Sequence, residues 1–533
     1  LEKIDTHSAS RKSIALSFYT LASRLLGLVR DHYMAISFGN GMLASAFSVA
    51  YRLPNMYRNL LAEGTLSQSF MPIYSDSTKE SNLEAKKMSG SVLSFLTCFL
   101  FIFIGVFILT APYFLPYLVG GSLEYIQTVI DLSSILFFLI FTASLSSIYI
   151  AIANTQNKFF VPSLSPIILN LSYLFVFIVL FKYVEDTESR IKILCYGIIT
   201  GGFLQLLTQA FYIRKLKLSP QWNFNYKHPA IKKILTLMLP AVIGGGFYQI
   251  SLLVDIFLAN YIQNQNPGLG AVVSLDYSQR LIQLPTGIIG VALATTTLPS
   301  LLNSLKKEEY ETIPKNLINT LSFSVYITIP AAIGFLLLGE EIIDAIYFGG
   351  KWDKKATLTT IAALQFYSIA IPAYSMNKIL TSSYYAFKDT KTPLKINMIS
   401  FSINIVFNLI LMNHFKHAGL ALSSTVSANL TFLLLIYFFK KHNIKLSFRT
   451  FLYKIQSFIL PILGLILWIF MIKYFRNSIY IELGELNHET KQRILCLVGI
   501  LPSGVLYFII SYLNKVEEFE IIFGKLLKRF NSK

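Results

Sequence analysis

Apolar runs of about twenty residues recur along the whole 533-residue chain. That length lets a helix cross roughly 30 Å of hydrocarbon at about 1.5 Å per residue. Strands of a membrane barrel would be about half as long and would alternate in polarity; the runs here do neither. Composition agrees. AVILMFWYC residues make up 54% of the chain and charged residues only 14%, against about 25% charged in soluble domains. A soluble globule of this size needs more polar surface, and a disordered chain shows the opposite signature, low hydrophobicity with high charge. The expected fold class is an all-α polytopic membrane protein.

Fourteen spans are expected, near 13–37, 43–73, 89–111, 127–153, 162–181, 191–213, 234–262, 270–303, 317–338, 357–386, 394–412, 418–439, 453–474 and 493–514. Several are longer than a bilayer requires, which implies tilt, kinking or protrusion. The N-terminal LEKIDTHSASRK is polar and basic and precedes a full-length span, so no cleavable signal peptide is expected. The three cysteines, Cys98, Cys195 and Cys496, lie far apart in apolar segments, and the seven histidines form no zinc motif. Neither set receives a role.

The net charge of +18 invites a nucleic-acid reading, but topology accounts for it first. With fourteen spans both termini share one side, and the loops of that side carry 29 Lys and Arg against 11 on the other. Lysine and arginine collect in cytoplasmic loops, so that side is read as cytoplasmic and nucleic acid is not needed. Six of the 46 basic residues remain inside spans: Arg24, Arg30, Arg52, Arg58, Arg280 and Lys378.

Weak matches at nearly one offset suggest an internal repeat. Pro72 pairs with Pro299, Arg52-Leu53 with Arg280-Leu281, and Pro162 with Pro393. The expected plan is two parallel six-helix repeats plus two C-terminal helices, with substrate handled between the halves by alternating access. The corresponding domains are a cytoplasmic tail 1–12, an N-lobe 13–216, a linker 217–233, a C-lobe 234–440, spans 13–14 in 441–514 and a tail 515–533.

An arginine at the centre of a spanning helix costs about 2.5–3.5 kcal/mol on insertion scales. Five are expensive unless they face a wet cavity or meet anions. Acids are scarce: Asp31, Glu63, Asp255 and Asp276 lie within or beside these spans. Asp276 and Arg280 are four apart, on one helix face, and are expected to pair; Asp31 is nearly in line with Arg24. Guanidinium groups bind phosphate oxygens bidentately, so the set reads as a cationic chamber for a phosphate or diphosphate. Snorkelling or salt-bridging is the competing reading, strongest for Arg30, Arg58 and Lys378. Pro54 in span 2, Gly244, Gly245 and Gly246 in span 7, and Pro285 and Gly287 in span 8 read as hinges, with close packing as the alternative for each glycine.

The blocks Ser23–Asp31, Ala46–Asn55 and Arg58–Pro72, together with Arg280–Gly287, Lys391-Thr392-Pro393 and Lys416–Leu420, closely resemble the MurJ (MviN) lipid II flippase family. The resemblance implies a member of the multidrug/oligosaccharidyl-lipid/polysaccharide (MOP) exporter superfamily. Such a protein sits in the bacterial cytoplasmic membrane with both termini inside. It moves lipid II, the undecaprenyl-diphosphate-linked peptidoglycan precursor, from the inner to the outer leaflet. The expected partners are therefore lipid II and membrane lipids, with the chain acting as a monomer and as a transporter rather than an enzyme. By resemblance the substrate-binding positions are Arg24, Arg30, Arg52, Arg58 and Arg280, with Asp31 and Glu63 nearby, and spans 13 and 14 form a groove for the lipid tail. Ser45 stands where the family often has Asp. The resemblance implies no cofactor beyond a sodium ion, whose matching positions are Asp255, Asn404, Asn408, Leu420 and Ser424. The alternatives are a flippase for another polyprenyl-diphosphate glycan and a cation-coupled drug exporter of the same superfamily. The exporter would need acids rather than arginines in the first half.

Overall fold

The computed structural model describes residues 6–523, with side chains throughout except at 6–18, 20, 61–64, 240–241, 243–245 and 248. Among the described residues every regular element is helical, and the only strand-like pairing is a bridge between Gly349 and Trp352. The chain divides into two compact units, Leu1–Val272 and Val273–Lys533.

The first unit holds α1 (Thr6–Phe38) and α2 (Met42–Tyr57), then a π-helical stretch, Arg58–Leu66, leading into α3 (Ser67–Glu80). It continues with α4 (Asn82–Val119), α5 (Leu123–Leu136), α6 (Leu139–Thr155), α7 (Phe160–Ile178), α8 (Thr187–Lys215) and α9 (Pro229–Gln265). Helix α10 (Ala271–Lys306) starts at the boundary. The second unit then has α11 (Thr312–Leu337), α12 (Gly339–Tyr347), α13 (Lys354–Ile369), α14 (Ile371–Ala386), α15 (Lys391–Phe438), α16 (Phe448–Gln456), α17 (Ile459–Tyr474), α18 (Arg476–Glu482) and α19 (His488–Leu513). Among the described residues eight helices are long and apolar enough to span a membrane, or ten when the bent pairs α13–α14 and α16–α17 each count as one span. The arginine-bearing runs α1 and α2–α3 are not among the eight.

Local chemistry sets many helix starts. Ser81, Ser122, Asp186, Asp353 and Asn487 each accept a backbone N–H from the first turn of α4, α5, α8, α13 and α19, satisfying donors the helix itself leaves open. Helix α1 ends where Gly39 takes φ +62°, a conformation that costs glycine little. Pro54 lies inside α2 and removes an amide donor from its ladder. Four residues on, the backbone changes to π hydrogen bonding, a form concentrated at functional sites. Pro285 and Gly287, by contrast, sit inside a continuous α10.

Helix α15 is a hairpin of two helices broken at Lys416, where φ is 52° and ψ −133°. The break falls at the turn expected between spans 11 and 12. Hydrogen bonds from Asn404 Nδ2 to Ser423 Oγ (3.2 Å) and from Ser427 Oγ to the Ser400 carbonyl (2.6 Å) tie the arms together; their residue pairing shows that the arms run antiparallel.

Helix α9 packs within the first unit. The Tyr125 hydroxyl donates to Asn260 Oδ1 at 2.5 Å, and the amides of Asn260 and Asn264 both donate to the Val119 carbonyl. These bonds between the last turns of α9 and the α4–α5 connection lie within the first compact unit.

In the second unit an ion-pair clasp joins α12 to the start of α13 and to α18. Lys354 Nζ lies 2.7 Å from Glu340 Oε1 and 2.8 Å from Asp344 Oδ2, and Arg476 Nη2 lies 3.1 Å from Glu340 Oε1. Burial pushes the Glu340 carboxyl up, but the hydrogen bonds and charges of Lys354 and Arg476 outweigh it and hold the group at about 2. A carboxylate with a depressed pKa adds stability above its ordinary value of 4.5, and this contribution is lost as pH falls toward 2. Glu340→Gln should therefore lower the melting temperature of the detergent-purified protein at neutral pH, and the gap from wild type should narrow below pH 4.5. Equal melting temperatures at neutral pH would show the clasp to be energetically silent.

Candidate functional site

The first unit positions Arg30 with three groups. Its Nε and Nη2 donate to Asp31 Oδ1 at 3.0 and 2.8 Å, and its Nη1 donates to Asn170 Oδ1 at 3.0 Å. The Tyr173 ring lies 5.1 Å from the guanidinium carbon, within cation–π range. Asn170 and Tyr173 are three apart on α7, one above the other on a single face. Asn170 is itself buried, and its Nδ2 donates to the Ser23 carbonyl at 3.0 Å. One amide thus holds the Arg30 guanidinium and the α1 backbone next to Arg24. Arg24, Arg52 and Arg58 are each half-buried, Arg52 on α2 and Arg58 at the start of the π stretch. Glu63, Gly244 and Gly245 lie outside the described side chains. Gly246 has no heavy atom within 4 Å of where a Cβ would stand, so close packing does not explain this glycine.

Ser45 is fully buried on α2, and its hydroxyl donates to Gln263 Oε1 of α9 at 3.1 Å and to the Gly41 carbonyl at 3.0 Å. The hydroxyl that replaces the family's acid belongs to the packing between α2 and α9.

In the second unit Arg280 Nη2 donates to Asp276 Oδ2 at 2.9 Å, the pairing its spacing predicts. The Arg280 guanidinium carbon stands 5.5 Å from the Tyr277 ring. Tyr277 is wedged against Tyr347 and Trp352, with centroids 4.7 and 5.1 Å away. Lys378 Nζ donates to the Thr286 carbonyl of α10 at 3.3 Å, which ties it to the helix backbone. Arg30 and Arg280 each lie beside a carboxylate, while their side chains stay 22% and 23% exposed.

The neutral residues matched to a sodium site converge within the α15 hairpin. Asn404 Nδ2 reaches Ser423 Oγ and Ser424 Oγ at 3.2 and 3.4 Å, and Asn408 Nδ2 donates to Asn404 Oδ1 at 3.2 Å. Leu420 is fully buried on the same hairpin. Asp255 is buried on α9 of the first unit. Among the described residues no three His, Cys, Asp or Glu side chains group as a metal site.

Asn170, Tyr173, Ser23 and Gln263 are absent from the sequence expectation. Asn170 carried a usable signal, a lone amide in the apolar run from Pro166 to Leu180, since intramembrane polar residues are costly and mark function. Gln263 carried none, because its importance depends on meeting Ser45.

Long apolar helices in two units define a multi-pass membrane protein, and solved structures show the fold to be that of the MOP superfamily. An inward-facing MATE family transporter of that superfamily matches with a TM-score of 0.65 at 13% identity, over 78% of this chain and 93% of that one. The structure titled lipid II flippase MurJ, inward closed conformation, matches with a TM-score of 0.73 at 26% identity, over 96% of this chain and all of that one. The family model described as lipid II flippase MurJ covers residues 34–485. A probable lipid II flippase MurJ of Rickettsia prowazekii is 31% identical over 78% of this chain and 81% of its own length. The chain belongs to the lipid II flippase MurJ family.

Proposed function

We propose that this chain is itself a lipid II flippase of the bacterial inner membrane, carrying the undecaprenyl-diphosphate-linked precursor from the inner to the outer leaflet. The observation that carries the reading is the arginine set, with Arg30 fixed by Asp31, Asn170 and Tyr173, and with Asn170, Tyr173, Arg52, Arg58 and Arg280 inside the region that the family model matches. Guanidinium groups fixed at membrane depth replace hydration that a diphosphate loses on leaving the headgroup layer. Arg24, Arg52, Arg58 and Arg280 complete the set, the polyprenyl tail stays in lipid, and the halves rock to open outward. No bond is made or broken, so the chain acts as a transporter working as a monomer, with both termini in the cytoplasm. The inside-negative potential assists outward movement of negative charge by about 2.3 kcal/mol per charge per 100 mV.

The test is expression of the full chain in a bacterium depleted of its own lipid II flippase, with lipid II measured in the outer leaflet. Restored outer-leaflet lipid II is the expected result. Stable insertion without restoration would remove the proposed substrate. In the same strain, rescue of O-antigen-type export instead would favour another polyprenyl-diphosphate glycan.

A sodium ion is proposed as coupling ion, held by Asp255, Asn404, Asn408, Ser424 and the Leu420 carbonyl. The convergence of the Asn and Ser side chains in α15 supports it. Asp255→Asn should abolish any stimulation of export by sodium; unchanged stimulation would remove the site.

A further inference from the structure

Between α8 and α9 residues 218–225 run without regular structure as a strap laid along α4. The Gln221 amide donates to the Lys86 carbonyl at 2.9 Å. Asn223 Nδ2 donates to the Lys87 carbonyl at 2.9 Å, and Asn223 Oδ1 accepts from Ser91 Oγ at 2.7 Å and from the Asn225 amide at 3.1 Å. Gly90 permits this approach: a Cβ there would lie 1.6 Å from the Gln221 carbonyl oxygen. Further along, the Tyr226 hydroxyl lies 3.3 Å from Cys98 Sγ. Cys98 is roughly 16 Å beyond Lys87 on α4, at 1.5 Å per residue, so the strap leads from the polar end of that helix into its apolar part.

In an extended chain alternate side chains share a face. Asn223 is bonded to α4, whereas Trp222 and Phe224 stay 54% and 71% exposed, and Tyr226, whose hydroxyl meets Cys98, is still 45% exposed. Exposed apolar residues also occur on the helices the strap joins and on α4, among them Phe211 on α8, Leu235 on α9 and Phe99, next to Cys98, on α4. Exposed cations flank the strap on both sides: Arg214, Lys215 and Lys217 before it, Lys227, Lys232 and Lys233 after it. Aromatic rings with polar edges and flanking cations are the composition favoured at the headgroup layer, where each lysine or arginine adds attraction to anionic lipid.

We infer that residues 218–227 form an interfacial anchor seated in the headgroup layer of the lysine-rich, cytoplasmic leaflet. Trp222, Phe224 and Tyr226 lie among the glycerol groups and upper acyl chains, and the flanking cations face anionic phosphates. The connection between α8 and α9 is then held at a set depth on α4 instead of sampling the cytosol. A soluble protein partner is disfavoured because the strap leads along α4 to Cys98, within the apolar stretch of that spanning helix. The inference does not depend on what the protein carries.

The experiment uses the full-length chain in phosphatidylcholine–phosphatidylglycerol vesicles. The emission of Trp222 is isolated as the difference between wild type and Trp222→Phe, after equal thermal melting shows both to be folded. Substituting lipid brominated in the upper acyl chain should remove about half of the difference signal, while aqueous iodide should leave most of it. Quenching by iodide with no response to brominated lipid would overturn the anchor, and is the outcome expected of a strap reserved for a soluble partner. Lys215→Gln, Lys217→Gln and Lys227→Gln combined should abolish the extra bromolipid quenching that phosphatidylglycerol confers over pure phosphatidylcholine. Persistence of that extra quenching would overturn the role given to the cations.

Discussion

Arg280→Ala should abolish export of lipid II and also lower the amount of inserted protein. Arg280→Ala combined with Asp276→Ala should restore the amount but not the export. The reason lies in the pair. Asp276 Oδ2 lies 2.9 Å from Arg280 Nη2, and its side chain is only 14% exposed. Removing the arginine alone takes a close cation from a poorly hydrated carboxylate, which is destabilising. Removing both groups clears that penalty and leaves only the missing anion contact. A hydrogen bond to a charged group contributes about 1.5–3 kcal/mol, so export should fall roughly ten- to a hundredfold in the double variant. Arg280→Lys keeps the charge but loses the planar fork, and should insert normally while exporting poorly. Normal export by the double variant, measured as outer-leaflet lipid II in a depleted strain, would show that Arg280 is there only to satisfy Asp276.

Asn170→Leu should reduce export about tenfold at a normal level of insertion, the loss expected for one hydrogen bond to a charged group. Leucine nearly matches the shape of asparagine and is favourable inside a membrane helix, so the change removes bonds with little effect on burial. Two ties are lost: the acceptor for Arg30 Nη1 and the donor to the Ser23 carbonyl. Arg30 keeps Asp31, so the charge remains while its direction loosens. Asn170→Asp should also fail, because a second carboxylate beside Arg30 would neutralise it further. Export by Asn170→Leu at the wild-type rate would show that Asp31 and Tyr173 suffice to aim Arg30.

The features legible in the sequence were those whose physics is contained in one segment. The helical class followed from run length against bilayer thickness. The turn at Lys416 and the Asp276–Arg280 pair both followed from spacing along a single stretch. Asp31 was set nearly in line with Arg24, and the structure bonds it to Arg30 next door, a contact between adjacent residues that helical periodicity does not address. The π-helical stretch after Pro54 had a visible cause but no visible extent. Ser45 was noted as a departure from the family's acid. Its bond to Gln263, 218 residues away, was out of reach of any local pattern.

By itself the sequence determined a polytopic helical protein and its family, and singled out the arginines set among apolar runs, because hydropathy and charge act residue by residue along each helix. Only the tertiary structure decided that Asn170 of α7 aims Arg30 of α1 across 140 residues of chain, that α9 packs with the first unit, and that the strap exposes Trp222, Phe224 and Tyr226 along α4. Those outcomes depend on which helix faces meet. Inside a membrane nearly every face is apolar, so the meeting is selected by a few polar contacts and close approaches, such as Gly90 beneath Gln221, that hydropathy along one segment does not contain.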